Sequence, residues 1–87
     1  MDLNDLRREI DLVDTELVRL FQRRMEIAAD IAECKKEAGL PVYQPERERE
    51  KLTALEAAAS DELKPYLKPL YSLLFELSRD YQKRLGA

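Results

Sequence analysis

The chain has 87 residues, with 15 lysines and arginines, 18 aspartates and glutamates, and a net charge of −3 at pH 7. This length corresponds to one small domain, and the interspersed charges leave no basic face for nucleic acid. No apolar run approaches the roughly 18 residues of a membrane span, and the acidic, polar start is unlike a signal peptide, so we expect a cytoplasmic protein with no membrane contact.

The sequence contains no histidine and one cysteine, Cys34. Imidazole bases, Ser-His and Cys-His catalytic pairs and the common zinc sites are therefore excluded. We expect no metal and no cofactor, so any catalysis depends on fixed charges, amides and carboxylates. Cys34 lies on an apolar stripe, where we expect it to pack rather than react.

The first predicted element is a long helix from about residue 3 to residue 38, capped by Asp2 or Asn4. Its apolar residues recur at alternating spacings of three and four, which is typical of a helix that packs on another helix. The predicted core positions in its first half are Ile10, Val13, Leu17 and Leu20. Such a helix is about 50 Å long, whereas a compact monomer of this size is about 30 Å across. We therefore expect an oligomer.

Arg24 occupies a position in this stripe where a leucine would fit. An unpaired charge out of water costs several kcal/mol or more, so a guanidinium there requires an anion. Lys35 lies almost three turns later and points the same way, about 16 Å along the axis, with Ala28 and Ile31 between. Lys35 alone would simply extend into solvent. Two cations separated by small side chains instead predict an anion pocket.

The first helix is expected to stop at Gly39, which suits the left-handed position after a helix, and Pro45 suits the first position of the next. Gln44 then occupies the N-cap, where Asp, Ser or Asn would be better by roughly 1 kcal/mol. The second helix is predicted from about Glu46 to Ala59.

A third helix is predicted after a turn and cap at Ser60 and Asp61, and it ends near Arg84. Pro69 would lose a hydrogen bond and clash with the preceding turn, so this helix either starts late, near Lys68, or kinks. The predicted core stripe is Leu63, Leu67, Leu70, Leu74, Leu77 and Tyr81.

Ser78 and Gln82 lie one turn apart on the flank of that stripe, beside apolar residues. A buried amide needs partners for up to four hydrogen bonds. The sequence leaves open whether those partners belong to a neighbouring helix or to a ligand.

An ordered series of residues runs through the whole chain: Leu6-Arg7, Ile10-Asp11, Asp14, Leu17, Leu20, Arg24, Ala28, Ile31-Ala32, Lys35, Gly39, Pro41-Val42, Arg47-Glu48, Ser78 and Gln82. This series resembles the all-helical chorismate mutases. The resemblance implies an all-α fold in which three-helix chains form an intertwined homodimer with two active sites. It also implies a single chorismate mutase domain over residues 1–87, which rearranges chorismate to prephenate in phenylalanine and tyrosine biosynthesis.

The same resemblance implies catalytic and substrate-binding roles. Arg7 of the partner subunit would bind one substrate carboxylate, and Arg24 would bind the other. Lys35 and Gln82 would meet the ether oxygen of the bond that breaks.

Four further positions would complete the site by the same resemblance. Glu48 would bind the ring hydroxyl, Ser78 a carboxylate, and Arg47 would support the site. Gln44 stands where the family usually has Asp. Gln can serve if the position contributes its backbone N–H to the ligand, and ring-hydroxyl binding is weakened if the carboxylate matters.

Two physical arguments agree with this reading independently. An intramolecular Claisen rearrangement needs no acid, base, nucleophile or metal. It needs the diacid held in its compact conformer and a cation near the oxygen that gains charge. In addition, Arg7 precedes Arg24 by 17 residues, about 25 Å along one helix, so one chain cannot bring both to one small ligand.

Three alternatives remain. An isochorismate pyruvate-lyase would share the fold and a similar anion pocket. A regulatory domain would bind prephenate or chorismate without turnover. A plain helical dimerisation module would have no affinity for small diacids, and its polar residues would be surface or satisfied core.

Overall fold

The computed structural model describes residues 1–86, which form three helices and no strand. The helices are α1 (Leu3–Ala38), α2 (Pro45–Ala58) and α3 (Lys64–Arg84), and α3 packs against both α1 and α2. The chain measures 54 × 26 × 15 Å with a radius of gyration of 16.0 Å. A compact domain of this length has a radius of gyration of about 12 Å. The fold is therefore elongated, and its longest dimension is the length of α1.

α1 has the bounds and the caps that the sequence predicts. The Asp2 carboxylate accepts a hydrogen bond from the backbone N–H of Asn4 at 3.1 Å, which satisfies one of the unpaired donors at the helix start. Gly39 has φ +69°, and its N–H donates to the carbonyls of Lys35 and Lys36. A side chain at residue 39 would be strained in this left-handed conformation, so glycine is required for the turn towards α2.

α2 begins one residue earlier and ends one residue earlier than predicted. Gln44 is its N-cap and makes no side-chain capping bond, and Pro45 is the first helical residue. Both features agree with the sequence analysis, since a glutamine is a poor cap and Pro45 has no N–H to satisfy.

The predicted start of α3 is wrong. The helix begins at Lys64 with Leu63 as its N-cap, after a turn in which the Ser60 carbonyl accepts hydrogen bonds from the N–H groups of both residues, at 3.0 Å from Leu63 and 3.2 Å from Lys64. Asp61 does not cap the helix; its carboxylate pairs with Lys64 instead. Pro69 lies inside the helix, where the missing bond would have been to the carbonyl of Pro65 in the first turn. The loss falls on one of the earliest bonds of the helix, and α3 continues through it.

The apolar stripe of α1, which the sequence predicts to pack on another helix, is exposed in the single chain. Every residue from 1 to 23 is exposed, and Ile10, Val13, Leu17 and Leu20 are 53–58 % exposed. Cys34 is exposed as well. The reason is geometric, because α3 covers only the C-terminal part of α1, where Ala28 and Ala32 are buried.

The predicted stripe of α3 is divided in the same way. Leu67, Leu74 and Tyr81 are half-buried, whereas Leu63, Leu70 and Leu77 remain exposed. Among residues 1–86, no helix combines the length and the apolarity that crossing a membrane requires.

Candidate active site

A cavity of about 420 Å³ lies where the C-terminal half of α1, the start of α2 and the C-terminal half of α3 meet. Its walls come from all three helices and from the connection between α1 and α2. The lining residues are Arg24, Ile27, Ala28, Ile31, Lys35, Val42, Gln44, Arg47, Glu48, Lys51, Phe75, Ser78, Arg79 and Gln82. The cavity is large enough for a small-molecule ligand.

The α1 wall has the arrangement predicted from the sequence, with Arg24 and Lys35 at its ends and Ala28 and Ile31 between them. Arg24 is half-buried, and its guanidinium carbon lies 5.8 Å from the centre of the Phe75 ring. Within residues 1–86, Arg24 forms no ion pair with a carboxylate. Its charge is therefore held at the cavity by an aromatic face and remains available to an anion.

Lys35 is fixed by two acceptors from different parts of the chain. Its ammonium donates to the carbonyl of Val42 at 2.8 Å and to Oε1 of Gln82 at 3.0 Å. Gln82 is only 4 % exposed, and its amide nitrogen donates in turn to Oγ of Ser78 at 3.1 Å. The buried amide thus has partners on two helices, and its orientation is determined by them.

Burial lowers the pKa of Lys35 from its ordinary value of 10.5, and the nearby Glu48 carboxylate partly opposes that shift. Removing water from around an ammonium disfavours its charged form, whereas a neighbouring negative charge favours it. Lys35 is half-buried at the cavity, so its charge is screened less by water than that of an exposed lysine.

Of the eight site residues named from the sequence, seven line the cavity in the structure and one does not. Arg24, Lys35, Gln44, Arg47, Glu48, Ser78 and Gln82 all line the cavity, whereas Arg7 does not. Arg7 is an exposed residue near the other end of α1. The structure brings together residues from positions 24 to 82, and it leaves Arg7 too far along the helix to join them within one chain.

Besides Ala28 and Ile31, which the sequence places between the two cations, five lining residues were not among the predicted site residues: Ile27, Val42, Lys51, Phe75 and Arg79. Arg79 completes a single helical face with Phe75, Ser78 and Gln82, at spacings of three, four and seven, and this periodicity could have identified it. Lys51 lies one turn after Arg47 on α2 and was detectable by the same reasoning. Val42 contributes a backbone carbonyl, for which no side-chain pattern exists.

The cavity has a strong excess of positive charge. Five of its lining side chains are cationic and one is anionic, which leaves an excess of four positive charges when all are ionised. The five cations are Arg24, Lys35, Arg47, Lys51 and Arg79, and the single carboxylate is Glu48. A small ligand with two negative charges fits this field, since it compensates charges that the protein itself leaves unpaired.

The family profile described as chorismate mutase type II matches residues 6–83. The chain belongs to this family. The matched range includes every one of the eight residues that the resemblance had assigned to the site.

Curated relatives match about half of the chain. A T-protein from Haemophilus influenzae is 50 % identical over 46 residues, which are 53 % of this chain and 12 % of that protein. A bifunctional chorismate mutase/prephenate dehydratase from Aquifex aeolicus is 49 % identical over 49 residues, which are 56 % of this chain and 14 % of that protein. The chain spans only a small part of the length of these relatives.

A solved structure matches nearly the whole fold. The crystal structure of chorismate mutase from Helicobacter pylori in complex with prephenate superimposes with a TM-score of 0.87 at 39 % identity, covering 95 % of this chain and 91 % of that chain. The three-helix architecture of this chorismate mutase family member is therefore shared with a protein that holds prephenate.

Proposed function

We propose that this chain, residues 1–87, is a chorismate mutase domain that converts chorismate to prephenate. The observation that carries the proposal is the number of donors left free at the centre of the cavity. The Lys35 ammonium has three N–H groups and uses two, on Val42 and Gln82. The Gln82 amide has two N–H groups and uses one, on Ser78. Each residue therefore retains one donor for a ligand.

Those two free donors suit the oxygen that gains charge during the rearrangement. As the ether bond of chorismate breaks, negative charge accumulates on its oxygen, and fixed N–H donors stabilise that charge without reorganising. Lys35 supplies a full positive charge and Gln82 a neutral dipole. The two side chains are already oriented by their bonds to each other, to Ser78 and to the α1–α2 connection.

The remaining requirement is to hold the flexible diacid in its compact reactive shape. Arg24 binds one carboxylate in this proposal, and Arg7 of the partner subunit binds the other. Fixing two carboxylates at a set separation restricts the substrate to conformers in which the bond-forming carbons are close. Such restriction is a recognised source of rate enhancement.

The other lining residues complete substrate recognition in this proposal. Glu48 retains lone pairs that accept a hydrogen bond from the ring hydroxyl, and the Ser78 hydroxyl donates to a carboxylate. Arg47 and Gln44 lie at the N-terminus of α2, where the helix dipole and free backbone N–H groups favour an anion.

We propose that the domain acts as a homodimer in the cytoplasm. Three observations support the dimer: α1 is one unbroken helix, its first 20 residues present an exposed apolar stripe, and Arg7 is absent from the cavity walls. A second copy would cover the stripe and deliver its Arg7 to this chain's cavity. Each copy would supply Arg7 to the cavity of the other, which gives two shared sites.

The decisive experiment incubates the purified chain with chorismate and monitors prephenate formation, beside an Arg24→Ala variant. Conversion that depends on Arg24 is expected. Pyruvate release from isochorismate, without prephenate from chorismate, would assign the chain to the lyase reaction. Binding of chorismate or prephenate without conversion would identify a regulatory domain, and no affinity for either would leave only a dimerisation module.

A further inference from the structure

Arg79 makes a second set of contacts that the roles assigned above do not use. Its Nη1 lies 2.5 Å from both carboxylate oxygens of Glu48. The guanidinium carbon lies 4.7 Å from the centre of the Tyr43 ring, in the connection between α1 and α2. One side chain from α3 therefore fixes a carboxylate on α2 and an aromatic ring on the connection at the same time.

This ion pair differs from the others in residues 1–86. The six other pairs join residues three or four apart in sequence, and most of their side chains are more than half exposed. The Arg79–Glu48 pair joins residues 31 apart, and its side chains are 26 % and 24 % exposed. Pairs of the first kind contribute little. The Arg79–Glu48 pair is less solvated and joins two helices, and Arg79 also stacks on Tyr43. The pair therefore determines the orientation of the Glu48 carboxylate.

That orientation matters because Glu48 has a competing partner. The Glu48 carboxylate acts electrostatically on Lys35, which retains one free N–H. Without Arg79, the Glu48 carboxylate would be free to pair with the Lys35 ammonium, on which it already acts. A Glu48–Lys35 pair would occupy the donor intended for the ether oxygen and turn Glu48 away from the ring hydroxyl.

We propose that Arg79 is a positioning residue that holds Glu48 for the substrate and keeps it from pairing with Lys35. The inference rests on the proposed chorismate mutase function. It assigns Arg79 an effect that is transmitted through Glu48, with no contact to the substrate.

The test is a double-mutant cycle on kcat/KM for chorismate, with Arg79→Gln, Glu48→Gln and the double variant. Because residues in direct contact are energetically coupled, Arg79→Gln is expected to lower kcat/KM about tenfold. In the Glu48→Gln background the same change should have less than about a twofold effect, since no carboxylate remains to be positioned. Arg79→Lys should restore part of the activity, because it returns the charge without the stacking.

Arg84→Gln is the matched control, since Arg84 lies on the same helix and its ion pair with Asp80 is exposed and lies away from the cavity. It should retain wild-type kcat/KM. An equal loss from Arg79→Gln in both backgrounds would overturn the inference by indicating direct substrate contact or a purely structural role. A loss in neither background would overturn it as well.

A crystal structure of unliganded Arg79→Gln separates this inference from the proposed function. Glu48 should turn towards Lys35 in that variant, whether or not the protein converts chorismate. An unchanged Glu48 would contradict the positioning role. If the wild-type chain is inactive and Glu48 still turns in the variant, only the proposed function is contradicted.

Discussion

The ammonium of Lys35 and the amide oxygen of Gln82, 47 residues apart in the chain, are joined by a hydrogen bond of 3.0 Å. This bond connects the C-terminal part of α1 to the C-terminal part of α3, and both residues line the cavity. After the further bonds of Lys35 to Val42 and of Gln82 to Ser78, one donor remains free on each residue.

Replacing Lys35 by alanine should remove most activity and preserve the fold. Losing a preorganised donor at a developing oxyanion typically costs about 3–4 kcal/mol, which corresponds to a loss of a few hundredfold or more in rate. Steady-state kinetics and circular dichroism measure the two effects. Lys36→Ala, a change at the exposed neighbouring residue, is the control. Near-normal turnover by Lys35→Ala would refute the assigned role.

Arg24→Leu should lose activity without losing stability. Leucine completes the apolar stripe of α1 and removes a half-buried charge that has no carboxylate partner within residues 1–86. Thermal unfolding should therefore occur at the same temperature as in the wild type or above it. Arg23→Leu, which removes an exposed cation paired with Glu26, should stay active. A large fall in Tm for Arg24→Leu would mean that Arg24 has a structural partner in the assembly.

Mixing inactive Arg7→Ala and Lys35→Ala chains should restore activity. If each site takes Arg7 from one copy and Lys35 from the other, each mixed dimer contains one intact site and one doubly altered site. Random exchange makes half of the dimers mixed, so about a quarter of wild-type activity is expected. Size-exclusion chromatography with light scattering verifies the dimer. If no activity returns although the chains exchange, the site is not shared.

The activity should decline in alkaline solution below the ordinary lysine pKa. Burial lowers the pKa of Lys35 from 10.5, so the ammonium in the free protein loses its proton as the pH rises through that lowered value. Because kcat/KM reports the free enzyme, its alkaline limb should have a midpoint below pH 10.5. Lys35→Arg stays charged across this range and should lack the limb. A limb that persists in Lys35→Arg belongs to another group.

Gln44→Asp should stabilise the protein. Gln44 is the N-cap of α2 and makes no side-chain capping bond, whereas an aspartate there accepts from free backbone N–H groups and interacts favourably with the helix dipole. An increase of about 1 kcal/mol in the free energy of unfolding is expected from urea titrations. Gln44→Asn, which caps without charge, separates the two contributions. Unchanged stability in both variants would show that the cap is satisfied in another way.

Local signals in the sequence were sufficient for most of the fold. The spacing of apolar residues and the glycine at 39 identified α1 to the residue, and Pro45 located α2 to within one. The start of α3 was wrong because Ser60 and Asp61 resemble a cap, yet the Ser60 carbonyl closes a turn before the helix begins. These local backbone bonds form a turn in place of the first turn of the helix.

The sequence predicts site residues whose side chains share one helical face. It does not predict contacts that are made by backbone atoms or by residues far apart in the chain. Arg24 and Lys35 were found because their spacing places them together. Arg79 shares a helical face with Ser78 and Gln82 and could have been identified as a lining residue, but its ion pair with Glu48, 31 residues away in another helix, could not. The exposure of Ile10 shows the same limit. The apolar pattern predicts that this residue is buried, but it does not say which chain covers it.

The Val42 carbonyl that accepts a hydrogen bond from Lys35 belongs to the connection between α1 and α2. A main-chain oxygen is present whatever amino acid occupies position 42, so substitutions there leave the anchor of the ammonium in place. Inserting or deleting a residue between Gly39 and Gln44 would instead move that oxygen by several ångströms. The position of this oxygen therefore depends on the length of the connection between α1 and α2, and the side chain at residue 42 does not supply it.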